Sequence, residues 1–135
     1  ITNQDVFISV AAVADYKVKN SSSQKMKKDG SGKVPVIELT ENPDILASIA
    51  SLPNPPFCVG FAAESERVLE HAKVKRIRKN IPMLVANQIS QSMGKTTNQI
   101  TIIDDENEIS FPETDKRQAA DNIVKHLTAR LNRSS

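Results

Sequence analysis

The sequence is poor in the residues that build most catalytic and metal centres. Of its 135 residues one is a cysteine, Cys58, which excludes an intramolecular disulfide and a thiolate zinc site. The only two histidines, His71 and His126, stand far apart, and neither has a Ser or Cys partner close in sequence. That argues against a histidine metal site and leaves no nucleophile motif. Tryptophan is absent, and one Tyr with four Phe offers few platforms for stacking single-stranded bases. No apolar run approaches the roughly 20 residues a membrane span needs. Neither sign of charge dominates: 18 basic residues against 16 acidic ones give +2, too balanced to announce nucleic-acid binding. The chain begins with Ile1 rather than Met, and no signal peptide or targeting motif precedes its first apolar segment. It is therefore expected to be a piece of a longer cytosolic protein.

What is present is the composition of one globular domain over 1–135, with 39% hydrophobic and 25% charged residues. The charge is unevenly spread. Lys17 to Lys33 holds six lysines against the single acid Asp29, and Lys73 to Lys79 holds five cations and no acid. Asp104 to Asp115 holds six acids and no cation. Two basic segments and one acidic one suit a compact polyanion bound on one side, or equally two solvated faces and an acidic loop.

Asp5–Val10 (DVFISV) reads as a buried strand, followed by the small residues of AAVADY. Residues 17–33, with three serines in a row and two glycines, read as a long mobile loop, a candidate lid. Val34–Thr40 alternates like a strand, and Pro35 places it at an edge. ENPDILASIASL starts a helix: Asn42 to cap, Pro43 at the first position, Asp44 at the positive end of the dipole, and prolines 53, 55 and 56 to stop it. Phe57–Ala63 is a second buried strand, Ser65–Asn80 a helix capped by Ser65 or Glu64, and Met83–Asn87 a third strand. Asn98–Asp104 and Glu108–Phe111 form a hairpin across the turn DDEN. Asp115–Leu131 is an amphipathic helix with Ala119, Ile123, Leu127 and Leu131 four apart. The fold class is α/β: a three-layer, Rossmann-like parallel sheet with crossover helices and an antiparallel hairpin extension.

Familiar phosphate motifs fail on spacing. Gly94-Lys95-Thr96 ends like a P-loop, but Ile89 stands where its first glycine belongs. Gly30-Ser31-Gly32 does not follow a strand. Lys75 and Lys79, four apart, share one helix face and suit adjacent phosphates of a polyphosphate, or serve only the helix dipole. Asp15, after a buried strand, stands where open α/β sheets hold ligands, or caps the next segment.

The segments AAVADY (11–16), KMKK (25–28), ENPDI (41–45), VGFAAE (59–64), KRIRKN (75–80) and VAN (85–87), in this order and spacing, closely resemble bacterial phosphopantothenoylcysteine synthetase. That is the ligase domain of the two-domain coenzyme A biosynthesis flavoprotein. The resemblance implies activation of 4′-phosphopantothenate by CTP with Mg²⁺, release of pyrophosphate, and attack by the amine of cysteine on the acyl-cytidylate to give an amide and CMP. It also implies a cytoplasmic homodimer. On the matching positions it implies that Asp15, Phe61, Lys75, Lys79 and the Pro43-Asp44-Ile45-Leu46 turn contact the nucleotide, and that Ala11 and Ala12 line the site. Lys25, first lysine of the KxKK motif, resembles the family's lid lysine needed in the cysteine step. No metal ligand is assigned. The family's earlier segment, with a glycine-rich turn and an Asn-containing motif, lies outside these 135 residues, so this piece alone is expected to be incomplete. FMN belongs to the decarboxylase domain, equally outside it. The rival expectation is a nucleic-acid-binding or purely dimerising α/β module, recognised by salt-dependent binding to random DNA or RNA.

Overall fold

In the computed structural model, residues 3–11, 13–20, 30–63, 67–92 and 94–133 are described. The chain divides into two compact units, one of residues 1–10 with 46–135 and one of residues 11–45.

The larger unit is built on a five-stranded sheet. Its strands are β1 (Val6–Ser9), β4 (Phe57–Ala63), β5 (Met83–Ser92), β6 (Lys95–Asp104) and β7 (Glu108–Ser110), in the order β1-β4-β5-β6-β7. β1, β4 and β5 run parallel, with Val6 opposite Phe57 and Val59 opposite Met83. Their continuous apolar runs are what a strand buried on both faces requires. β5, β6 and β7 are antiparallel to one another. Helices cover both faces, giving three layers. On one face α1 (Ile45–Ala50) and α2 (Val68–Lys79) pack Leu46, Ile49, Ala50 and Ala72 against Cys58, Ala62, Leu84 and Ile103. On the other, α3 (Lys116–Arg133) packs Ala119 and Leu127 against Val59, Met83, Val85, Ile100 and Ile102, flanked by half-buried Ile123 and Leu131. Each large side chain so buried contributes about 1.5–3 kcal/mol.

The helix ends follow local chemistry. Asp115 Oδ1 accepts the Gln118 N–H at 2.8 Å, capping α3. α2 closes with Asn80 in the left-handed conformation (φ 54°); the Asn80 N–H donates to the Ile77 carbonyl and the Ile81 N–H to that of Arg76, a Schellman-type closure. That turn delivers Ile81 into the core. The expected caps Glu64 and Ser65 lie outside the described residues, and α2 is preceded by Arg67, also left-handed (φ 48°).

The smaller unit is a two-stranded antiparallel ribbon of β2 (Tyr16–Val18) and β3 (Leu39–Glu41), with Tyr16 opposite Glu41 and Val18 opposite Leu39. Two expectations are corrected here. The loop expected from Lys17 begins with a strand instead, and the strand expected over 34–40 is confined to 39–41. Both misreadings share a cause: the ribbon is held by backbone hydrogen bonds while most of its side chains stay exposed, so no burial pattern marks it. A third correction concerns β5 and β6. They continue past Asn87 and begin before Asn98, pairing through to Ser92 and Lys95 in a backbone ladder that polar and β-branched residues sustain without a run of apolar residues to announce it.

Candidate functional site

In the smaller unit, Asp15 is exposed and its place is fixed by its backbone. The Asn42 N–H donates to the Asp15 carbonyl at 2.8 Å, and Asn42 Nδ2 donates to the Ala14 carbonyl at 2.7 Å. Asn42 Nδ2 is thus spent on the AAVADY segment, and α1 begins at Ile45, later than the start at Pro43 that the sequence suggested. The same two bonds hold Asp15 against the start of the Pro43-Asp44-Ile45 turn, bringing these predicted residues together. Ala11, Pro43, Asp44 and Ile45 are all exposed. Ala12, Lys25 and most of the lysine-rich loop lie outside the described residues.

In the larger unit, Leu46 is 7% exposed and belongs to the core. Any contact it makes to a ligand runs through its backbone, which is free to donate at a helix start. Phe61 is half-buried and packs on the α3 face of the sheet. α2 lies on the opposite face, so the ring of Phe61 does not stand beside Lys75 and Lys79.

α2 is unusual in what it turns outward. Ala72 is fully buried, while Lys75, Arg76 and Lys79 are half-buried beside it. Val74 and Ile77 are 62% and 71% exposed. An ordinary surface helix does the reverse. Arg76 Nη1 donates to the Ile81 carbonyl at 3.4 Å, and its Nε is buried with no partner among the described residues. As a crossover helix between parallel strands, α2 runs antiparallel to them, which puts Lys79 at the end where β5 begins.

The acidic stretch is accounted for internally. Buried Asp104 accepts hydrogen bonds from the Glu106 and Asn107 N–H groups, at 2.8 and 2.6 Å, and from His126 Nε2 at 2.9 Å. Burial works to raise its pKa, but these bonds outweigh it and hold the carboxyl below the usual carboxylate range. Arg130 bonds Asp105 and lies 3.7 Å from Glu106, and Arg133 donates to Glu106 at 3.3 Å. Lys73 pairs with Glu108 at 2.6 Å. The turn is thus a clamp joining β6, β7 and α3, not a free acidic patch. Among the described residues no group of three or more His, Cys, Asp or Glu is gathered so as to hold a metal ion. None of the helices described is long and apolar enough to cross a membrane.

One pair was assigned no role from sequence. Asn87, last residue of the VAN segment, stands opposite Ala63 at the carboxyl end of the parallel pair. Its Nδ2 donates to Asn98 Oδ1 at 3.1 Å, leaving Asn87 Oδ1 and Asn98 Nδ2 buried without partners among the described residues. Only the position of Asn87 after a buried strand could have drawn attention to it.

Known proteins share much of this sequence. The chain is 42% identical over 130 residues to the coenzyme A biosynthesis bifunctional protein CoaBC of Vibrio cholerae, covering 93% of this chain and 32% of that protein. It is 44% identical over 93 residues to the Escherichia coli K12 protein of the same name, covering 67% and 23%. It thus spans about a third of the length of such relatives. The crystal structure of the C-terminal domain of a CoaBC superposes with a TM-score of 0.71 at 33% identity, covering 96% of this chain and 56% of that one. The family model described as DNA/pantothenate metabolism flavoprotein C-terminal domain matches residues 1–131, with the three-layer α/β fold and the VGFAAE and KRIRKN segments inside the match, and the chain belongs to that family.

Proposed function

We propose that this chain is the CTP-contacting portion of a phosphopantothenate–cysteine ligase of coenzyme A biosynthesis. The observation that carries this reading is the inversion of α2, which half-buries Lys75 and Lys79 while exposing Val74 and Ile77, in a member of this family. In this reading the two ammonium groups, one helical turn apart, neutralise the triphosphate as the carboxylate of 4′-phosphopantothenate attacks the α-phosphorus and pyrophosphate departs. Charge-assisted hydrogen bonds of this kind are about twice as strong as neutral ones. The reaction needs positioning and charge neutralisation more than a protein nucleophile, which suits a chain whose one cysteine is buried.

Asp15 and the Pro43–Leu46 turn present a carboxylate and helix-start N–H groups to ribose and base. Phe61, Ala11 and Ala12 are the remaining positions assigned to the nucleotide in this reading. Lys25 of the KxKK segment is assigned to the second step, in which the cysteine amine attacks the mixed anhydride of the acyl-cytidylate and CMP leaves; exclusion of water protects that anhydride from hydrolysis. Mg²⁺ bound with the phosphates of CTP would supply charge neutralisation there. The working form is a cytoplasmic homodimer.

The test is CMP release by the protein at its natural length. CMP formation should require CTP, phosphopantothenate and cysteine together. Formation of CMP without dependence on phosphopantothenate, or none at all by the folded protein, contradicts the reading.

A further inference from the structure

Gly60 sits in the middle of β4, buried, and its backbone is not left-handed. Any residue could adopt its dihedral angles, so the demand for glycine there is one of space. A Cβ at this position would stand 2.8 Å from Ile81 Cδ1 and 2.9 Å from Leu46 Cδ2, closer than real Cβ atoms come, with Leu84 Cδ1 at 3.9 Å. Both side chains are the flexible kind that often swing aside. Here both are buried, 2% and 7% exposed, in one cluster with Ala72 and Leu84, so the room to swing is small.

The identity of the two neighbours gives the contact its meaning. Leu46 is the second residue of α1, the last of the turn read as contacting the nucleotide. Ile81 is delivered into the core by the Asn80 turn directly behind Lys79. Phe61 is the very next residue on β4. We infer that Gly60 is a positioning residue of the nucleotide site: by lacking a methyl group it lets the first turn of α1 and the tail of α2 seat together on β4, which sets the spacing between Leu46 and Lys79. The inference rests on the CTP reading of those two elements. A methyl group added at Gly60 displaces one or both outward, and displacements below an ångström at binding groups are enough to cost affinity.

Gly60→Ala, Ile81→Val and the double variant, made in the protein at its natural length, test this. Ile81→Val removes Cδ1, the atom nearest the added methyl, and lies outside the residues read as contacting ligand. CTP with Mg²⁺ is titrated into each by calorimetry, KM is measured for CTP and for cysteine, and thermal unfolding is followed in parallel. Gly60→Ala is expected to weaken CTP binding and raise its KM on the order of tenfold, with KM for cysteine unchanged. Ile81→Val alone should bind CTP as the wild type does, and the double variant should recover most of the loss.

A folded Gly60→Ala protein with wild-type CTP affinity overturns the inference, as does a double variant that regains thermal stability without regaining affinity. If Gly60→Ala does not fold, the double variant is compared with Ile81→Val: weaker CTP binding supports the inference and equal binding overturns it. If the wild type itself does not bind CTP, the nucleotide reading fails and this inference falls with it. Wild-type binding with unaltered variants overturns the positioning role alone.

Discussion

Asn42 Nδ2 donates to the Ala14 carbonyl at 2.7 Å, across 28 residues of sequence, while the Asn42 N–H meets the Asp15 carbonyl at 2.8 Å. One side chain thus ties the segment carrying Asp15 to the turn that begins α1. Hydrogen bonds of this kind contribute about 1 kcal/mol. Asn42→Ala is expected to weaken CTP binding about fivefold by titration. Asn42→Asp should be worse, because it sets an acceptor against the Ala14 carbonyl. Equal affinity in all three proteins would show that this tie does not shape the nucleotide site.

The buried carboxylate of Asp104 makes the fold acid-sensitive in a defined direction. Its pKa is lower in the folded protein than the ordinary value near 3.8, so the folded state holds fewer protons on it than the unfolded state does. The stability it contributes is fully present above that ordinary value and is lost as pH falls through the lower folded value. Asp104→Asn should remove this part of the acid-unfolding profile. Asp104→Ala should cost about 3 kcal/mol, since it strands two backbone N–H groups and the arginine side of the clamp. Denaturant titrations at pH 7 and between pH 4 and pH 2.5 read both.

Cys58 is 1% exposed, and burial pushes its thiol pKa up. As the only cysteine it makes thiol labelling a clean reporter of opening. The native protein should resist a water-soluble disulfide reagent at pH 8 and react fully in denaturant. Fast labelling of the native state would contradict the buried placement of β4.

Much of this architecture was legible in the sequence, and the reasons are physical. β1, β4 and the start of β5 announce themselves as short apolar runs because a parallel strand is covered on both faces. α3 is readable because one face must be apolar, and Ala119, Ile123, Leu127 and Leu131 mark it. The β2–β3 ribbon was not legible, since most of its side chains are exposed and its pairing uses only the backbone. Asn42 was placed at the right turn, but the bond from its Nδ2 to a carbonyl 28 residues away was not legible, because nothing in the sequence shows which distant backbone a carboxamide donor meets. Lys75 and Lys79 were found by their spacing, yet their half-burial was not, because it depends on how α2 rolls on the sheet.

Asn87 and Asn98 form the one cross-strand carboxamide contact in the described part of β5 and β6. Removing either leaves its partner buried and unpaired, a loss of about 1–3 kcal/mol. Asn87→Ala and Asn98→Ala are therefore expected to be non-additive, the double variant costing less than the sum of the singles. Simple additivity in urea denaturation would mean that the two do not depend on one another.

The central claim, that Lys75 and Lys79 hold the triphosphate of CTP, is tested most directly by calorimetric titration of the protein at its natural length. CTP with Mg²⁺ is compared with ATP and Mg²⁺, and the wild type with Lys75→Gln/Lys79→Gln. The account predicts tighter binding of CTP than of ATP, and a loss of at least about tenfold, roughly 1.4 kcal/mol, in the double variant. Equal affinity for the two nucleotides, or a folded double variant that binds CTP as the wild type does, would contradict it.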